Sequence, residues 1–124
     1  MSDKLTQADL QQFKGGTGHW YRHNLARTVT YTDGVKYMAE RAGAYWLIDE
    51  IAFAQIGEPH VKAEEFQSWK LKVTGSTATL TCDDGNGNIV FSKPIDFTDF
   101  PLDEINLWVE AGDGGRVILL PCEH

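Results

Sequence analysis

Two adjacent carboxylates, Asp49 and Glu50, interrupt a strongly apolar stretch of this 124-residue sequence. An ionised carboxylate among apolar side chains needs a partner or an exit to water. If the stretch is helical, adjacent residues point about 100° apart, so at most one of the two faces the interior. We therefore assign Glu50 to a solvated stripe and consider Asp49 as a carboxylate in a ligand-binding cleft. The aromatic walls of this predicted ligand site are Trp20, Tyr45, Trp46 and Trp69.

The alternative role for Asp49 is structural. An arginine (Arg22, Arg27 or Arg41) would pair with its carboxylate and order residues 19–27 against the helix. Asp49 would then hold a loop in place and take no part in chemistry. The sequence leaves both interpretations open.

A second group of carboxylates surrounds two phenylalanines near residue 100. Carboxylate pairs act as acid and base where burial separates their pKa values, but no nucleophile or base accompanies this group. Asp residues in such a run bond to nearby backbone, and Phe and Leu close the end of a sheet. We interpret the run as a crossover loop whose charges could meet a partner protein. Its acidic members are Asp96, Asp99, Asp103 and Glu104.

The last two predicted strands contribute a candidate apolar surface. Counting even-numbered positions places Trp108, Ile118 and Leu120 on one face. If no helix covers that face, it forms an exposed apolar patch, which is typical of a partner interface or a dimer seam.

Two further patterns superficially resemble metal sites. The Asp83–Asn88 run is rich in oxygen ligands, but its spacing is not that of a calcium-binding loop, and Asp-Gly and Asn-Gly pairs are typical of hairpin turns. The four histidines and two cysteines show no zinc-ligand spacing. We predict no metal ion and no cofactor. Known catalytic motifs are also missing, which argues against an enzyme.

The charge balance limits the classes of partner. Eleven basic against eighteen acidic residues give a net charge of −7, which opposes nucleic acid and anionic membranes. The segment His19–His23 mixes aromatic and basic residues as single-strand binders do, but we interpret it as packing at the edge of the core. No apolar run spans a membrane and no secretory signal precedes residue 14, so we predict a cytoplasmic protein with free thiols.

The elements that must position these residues are helices followed by a sheet. Thr6 and Asp9 form a capping box that starts a short helix through Phe13. Apolar residues then recur at helical spacing from Thr32 to about Gln55, which predicts one long buried helix. Gly43 lies in its middle, where glycine costs about 1 kcal/mol against alanine, so we expect another backbone or ring to approach it closely.

From Glu65 onward the spacing of apolar residues changes from a helical period to a period of two residues, which predicts about five strands. Short turns join them, among them Gly75-Ser76, so we expect an antiparallel meander. Residues 27–31 could add a short edge strand. The whole chain, residues 1–124, is thus predicted to be a single α+β domain with the long helix on one face of the sheet.

Several stretches together resemble a family of small uncharacterised bacterial proteins found on plasmids, phages and other mobile elements. They are Tyr31–Val35, Ala42–Ile51, Phe66–Leu71, Cys82–Gly87 and Phe97–Leu102. The resemblance covers nearly the whole chain and implies an accessory protein of mobile DNA. It brings no activity and no catalytic residue.

These observations favour a protein-binding or regulatory module that acts on a host protein through its carboxylates. The alternative is a small-molecule-binding domain or small enzyme with a pocket around Asp49. A homodimer without a ligand is the third hypothesis.

Overall fold

A computed structural model describes residues 5–112 and 114–124. The helices are α1 (Gln7–Leu10), α2 (Asp33–Ala42), α3 (Tyr45–Gly57) and α4 (Pro59–Lys62), with 3-10 turns at Gln11–Phe13 and Pro121–Glu123. The strands are β1 (Trp20–Arg22), β2 (Val29–Thr32), β3 (Phe66–Thr74), β4 (Thr77–Asp83), β5 (Ile89–Ile95), β6 (Glu104–Gly112) and β7 (Gly115–Leu119). The α+β class is therefore confirmed.

The sheet is mixed, and the predicted five-stranded meander is wrong. Its strand order is β1-β2-β7-β6-β3-β4-β5, in which β2 runs parallel to β7 and the other neighbours are antiparallel. Strand β6 lies beside β3, so the chain crosses over the β3–β4–β5 hairpins instead of continuing outward. The short strands β1 and β2 extend the other edge. A parallel partner distant in the chain leaves no local sequence signal.

The first helix begins as predicted. The Thr6 hydroxyl accepts a hydrogen bond from the Asp9 N–H at 3.2 Å, and the Asp9 carboxylate accepts one from the Thr6 N–H at 3.0 Å. This capping box satisfies two amides that the helix cannot pair itself. The α-helix is only one turn long, and a 3-10 turn carries the chain on to Phe13.

The predicted long helix from Thr32 to Gln55 is two helices, because the chain bends at Gly43. Gly43 has a φ of +61°, in the left-handed region, and the Ala44 N–H donates to the Ala39 carbonyl at 2.8 Å. This is how glycine ends many helices. The expected close approach to Gly43 is also wrong, since a Cβ there would meet nothing within 4 Å.

We expect Gly43→Ala to lower the free energy of unfolding by about 1 kcal/mol, because an L-residue is strained in the left-handed region. A continuous helix would give the opposite sign, since alanine is the better helix former by about 1 kcal/mol. Urea unfolding of both proteins measures that sign. Gly57→Ala is the matched control, because Gly57 is helical, has no positive φ and has equally open surroundings. Stabilisation by Gly43→Ala would contradict the bend.

The helices cover one face of the sheet, and alternate strand residues fill the core between them. Buried core residues from the sheet are Trp69, Leu71, Leu80, Cys82, Leu107, Val109 and Ile118, and those from the helices include Val35, Met38, Leu47, Ile48 and Ile51. The other face carries mainly polar side chains on the central strands, such as Ser68, Lys70 and Thr79. The helix layer therefore positions α3 with one side toward the sheet and the other toward solvent.

The register of the last two strands corrects the predicted apolar face. Trp108 pairs with Leu119, whereas Ile118 pairs with Val109 on the core side. Ile118 and Leu120 are both buried, and Trp108 lies on the opposite face of the sheet from Ile118. The prediction that Trp108, Ile118 and Leu120 share an exposed face is wrong, because even-numbered residues of β6 pair with odd-numbered residues of β7.

Within the described residues, no helix has both the length and the apolar character needed to cross a membrane.

Candidate functional site

Asp49 on α3 is bonded to a histidine. Its Oδ1 lies 2.7 Å from Nε2 of His23, which belongs to the loop between β1 and β2. The histidine is buried at 6% exposure, whereas about half of the Asp49 side chain is exposed. Among the described ion pairs Asp49 is joined to His23 and to no arginine, and Arg22 donates to the Arg27 carbonyl instead. The predicted Arg–Asp49 pair is thus wrong, and His23 holds the carboxylate instead.

The backbone around His23 determines which ring nitrogen carries the proton. Nδ1 accepts hydrogen bonds from the N–H groups of Leu25 at 3.1 Å and Ala26 at 2.9 Å. A nitrogen that accepts two such bonds offers its lone pair, so the proton of the neutral ring is on Nε2. That proton is donated to Asp49. Since both nitrogens are engaged, His23 orients the carboxylate and is poorly placed to act as a general base.

Aromatic and apolar side chains surround this carboxylate in a cleft of about 310 Å³. The cleft is lined by His23, Asn24, Leu25, Tyr31, Tyr45, Ile48, Asp49 and Phe53. The Phe53 ring meets the His23 ring edge-on, with centroids 5.3 Å apart. Burial raises the pKa of Tyr45 and, aided by the negative charge of Asp49, that of Tyr31, so both phenols stay neutral. The site offers a negative charge framed by neutral rings.

The structure brings together only two of the five predicted ligand residues, Tyr45 and Asp49. Trp69 is buried in the core, where its Nε1 donates to Gln67 at 2.9 Å. Trp46 is half-buried against the core, and Trp20 lines a separate groove with Val117 and Leu119 on the open face of the sheet. The tryptophans therefore do not form one pocket.

Sequence reasoning missed six of the residues that line the cleft: His23, Asn24, Leu25, Tyr31, Ile48 and Phe53. Phe53 could have been found, because Tyr45, Asp49 and Phe53 are spaced by four and share one helical face. Leu25, Tyr31 and His23 come from another part of the chain. No local pattern marks them as neighbours of α3.

Helix α3 is apolar on its outer side as well as its inner side. It buries Leu47, Ile48 and Ile51 against the sheet, yet Tyr45, Phe53 and Ile56 are exposed. A helix that is apolar all round is normally buried. Glu50, assigned to a solvated stripe, is bonded to Lys93 of β5 at 2.7 Å. Leu25, Tyr45 and Phe53 form an apolar rim around Asp49.

A second carboxylate fixes the other end of the segment that carries His23. Asp33, in the first turn of α2, accepts hydrogen bonds from the N–H groups of Gly18 and His19 and from the Tyr21 hydroxyl. Burial alone would raise the pKa of Asp33, but these bonds outweigh it and lower the pKa to about 2. The Asp33 carboxylate therefore stays ionised and holds strand β1 against α2, which in turn places His23 beside α3.

The acidic run forms a loop between β5 and β6, with its carboxylates outward. Asp96, Asp99 and Asp103 are exposed, and Glu104 lies 3.9 Å from Lys70. Phe100 and Leu102 are buried beneath the loop, as a plug at the end of the sheet would be. Phe97 is exposed among these charges. The loop lies apart from the Asp49 cleft, and no residue of the run lines that cleft.

The oxygen-rich Asp83–Asn88 run is a hairpin turn. The Asp84 carboxylate accepts from the N–H groups of Asn86 and Asn88, and Asp83 from that of Gly85. Within residues 5–112 and 114–124, no three His, Cys, Asp or Glu side chains converge as metal ligands would. Burial, with a contribution from the negative charge of Asp83, raises the pKa of Cys82 to about 12, so this thiol is inert at neutral pH.

Comparison with known proteins supports the fold. A model of a family of unknown function, DUF6876, matches residues 4–124. A crystal structure of a protein of unknown function from Enterococcus faecalis is similar at a TM-score of 0.60 and 17% identity, over 86% of this chain and 98% of that chain. No curated protein is significantly similar to this chain.

Proposed function

Because the chain belongs to the DUF6876 family, whose description names no activity, we propose a function from its geometry: it is a binding module. The cleft beside α3 receives a lysine or arginine side chain of a partner protein. A cation there would meet the Asp49 carboxylate at its head and the rings of Tyr31, Tyr45 and Phe53 along its stem. Carboxylates and aromatic faces both attract such cations.

The single observation that carries this proposal is the His23–Asp49 pair. Its 2.7 Å hydrogen bond fixes the carboxylate in the cleft, while the ring remains neutral and leaves the negative charge uncompensated. A neutral histidine with both nitrogens engaged supports recognition more than proton transfer. The apolar rim of Leu25, Tyr45 and Phe53 would exclude water around the His23–Asp49 pair and so strengthen the contact between Asp49 and a bound cation.

The setting of the interaction is part of the proposal. The resemblance to proteins of mobile elements suggests a host protein as partner in the bacterial cytoplasm. The net charge of −7 would steer a basic surface toward the cleft. A small amine as ligand, or a second copy of this chain on the apolar rim, are the alternatives that the experiment separates.

We expect blocked tripeptides with a central lysine or arginine to shift the ring NMR signals of Tyr45 and Phe53. A norleucine tripeptide, which has an apolar stem but no charge, should not do so. Asp49→Asn should weaken lysine-peptide binding at least about tenfold, because a charged hydrogen-bond partner is worth about 1.5–3 kcal/mol. The asparagine still accepts the His23 proton, so the fold should persist.

Glu65→Gln is the matched control, since it removes one exposed carboxylate outside the cleft. Equal weakening by both variants would mean that only the overall charge matters, and the proposal would fail. Equal response to norleucine and lysine would point to a purely apolar surface. Sedimentation velocity of the free protein would then test the second-copy alternative.

A further inference from the structure

The open face of the sheet carries apolar side chains where strands β1, β2, β7 and β6 lie side by side. Glu110 of β6 pairs with Val117 of β7, and Val117 pairs with Thr30 of β2, so these three side chains share one face. Thr32 lies two residues after Thr30 on that face and pairs with Trp20 of β1. Trp20, Val117 and Glu110 are therefore all on the side of the sheet opposite the helices.

These side chains line a groove of about 520 Å³. This volume lies in the range of small-molecule sites, roughly 300–1,000 Å³, whose walls are mainly apolar with a few polar groups. Val117 and Leu119 give the groove an apolar floor on strand β7. Other lining residues include Gly16, Thr17, Glu123 and His124.

The Trp20 ring is an open aromatic surface in this groove. Trp20 is 60% exposed, whereas Trp69 is buried. Trp108 packs edge-on against Phe66 and His124. Among the described residues, no aromatic ring contacts that of Trp20. The face of an indole attracts flat rings and cations, so Trp20 offers a binding surface that the fold itself does not use.

Glu110 supplies a negative charge to the groove. Its Oε1 is shielded from solvent, 2.9 Å from Nε2 of His124, in a geometry that makes no hydrogen bond. About a third of the Glu110 side chain is nevertheless exposed, and this exposure belongs to its other atoms. The second lining carboxylate, Glu123, is already bonded to the Thr32 hydroxyl and to the N–H of Gly34. Glu110 is therefore the carboxylate that remains available to a ligand.

The charge of the groove selects the sign of its ligand. Among the described residues that line it there is no lysine and no arginine, and the chain carries a net charge of −7. This field repels anions and attracts cations. A carboxylate forms its strongest hydrogen bonds with charged N–H donors.

From this arrangement we infer that the Trp20 groove (Trp20, Glu110, Val117 and Leu119) binds a small aromatic cation, in which an amidine or protonated amine is attached to a flat ring. The N–H groups of the cation meet Glu110, and its ring lies against Trp20 over the apolar floor. The site is separate from the Asp49 cleft. It goes beyond the proposed function, because its occupant is a small molecule and not a side chain of a partner protein.

The test is a titration with benzamidine at constant ionic strength, followed by NMR. We expect saturable shifts of the Trp20 indole N–H and of the methyl groups of Val117 and Leu119. Benzamide, which has the same shape without the charge, should bind at least about tenfold more weakly, because a hydrogen bond between charged groups is the stronger one. Equal binding of the two probes, or shifts that do not saturate, would overturn the site.

Two variants, each with a matched control, identify the residues responsible. Glu110→Gln should weaken benzamidine binding at least about tenfold, whereas Glu104→Gln, on the same strand and face but outside the groove, should not. Trp20→Leu should weaken it at least about threefold, whereas Phe97→Leu removes an exposed ring elsewhere and should have no effect. Equal weakening by a variant and its control would show that only overall charge or apolar surface matters, and the site would fail.

Benzamidine is also small enough to enter the Asp49 cleft, so the titration is repeated in Asp49→Asn. The shifts of Val117 and Leu119 should be unchanged in this variant, whether or not it still binds lysine peptides. Their loss would assign the binding to the Asp49 cleft and overturn the Trp20 groove. Failure of the lysine peptides with benzamidine binding intact would overturn only the proposed function.

Discussion

Gln67→Leu is expected to lower the free energy of unfolding by about 4 kcal/mol, because the side-chain amide of Gln67 satisfies several buried groups at once. Gln67 is completely buried, and its amide exchanges two hydrogen bonds with that of Gln55, at 2.7 and 2.8 Å. Its oxygen also accepts the Trp69 indole N–H, and its nitrogen donates to the carbonyls of Val61 and Glu64. Leucine has a similar volume but leaves these partners unpaired.

Urea unfolding of the variant measures this loss. Gln11→Leu is the matched control, since Gln11 is exposed, and we expect its effect to stay within about 0.5 kcal/mol. The variant Gln55→Leu and the double variant complete a double-mutant cycle. The second leucine should lower the free energy of unfolding by less than the first, because the two amides are hydrogen-bonded to each other. A loss below about 1 kcal/mol for Gln67→Leu would contradict this role.

The second large effect is expected at the end of the chain. Glu123 is buried at 7% exposure, and its Oε1 lies 2.5 Å from the Thr32 hydroxyl and accepts the Leu120 N–H. Its Oε2 accepts the N–H of Gly34, in the first turn of α2, at 3.1 Å. A carboxylate at this helix start offsets the positive end of the helix dipole.

Glu123→Ala should therefore cost about 3–4 kcal/mol, since it leaves two backbone N–H groups and one hydroxyl without a partner. Glu123→Gln keeps an acceptor oxygen and should cost roughly half as much. Thermal and urea unfolding of both variants measure the order of their stabilities, and Glu65→Ala serves as a control at an exposed position. If Glu123→Ala were as stable as that control, the chain end would not be an anchor.

Glu123 also shows where sequence reasoning is weakest. Its carboxylate closes the start of α2 at Thr32, 91 residues earlier in the chain. The partners Thr32 and Gly34 are distant in sequence, and no spacing rule connects them to Glu123. A Cβ on Gly34 would lie 2.6 Å from the Leu120 side chain and 2.7 Å from the Glu123 carboxylate, so the close packing of this segment favours glycine there.

The residues of the Asp49 cleft also divide into those that the sequence could identify and those that it could not. Asp49 could be selected from the sequence, because an ionised group in an apolar helix requires a compensating arrangement. The spacing of Tyr45 and Phe53 around it is likewise a local property. The histidine that compensates Asp49 comes from the β1–β2 loop, and its tautomer depends on two backbone amides of that loop.

Local patterns alone determined the α+β class, the capping box at Thr6, the hairpin turns and the buried alternation of the central strands, because each depends on residues within one turn or one strand pair. The tertiary structure decided the bend at Gly43, the parallel pairing of β2 with β7 and the His23–Asp49 pair. Apart from the bend, these involve groups far apart in the chain, and such contacts form only when the whole core closes. At Gly43, the same glycine fits a helix interior at modest cost or a left-handed helix end, and the packing of α2 and α3 against the sheet selects the second.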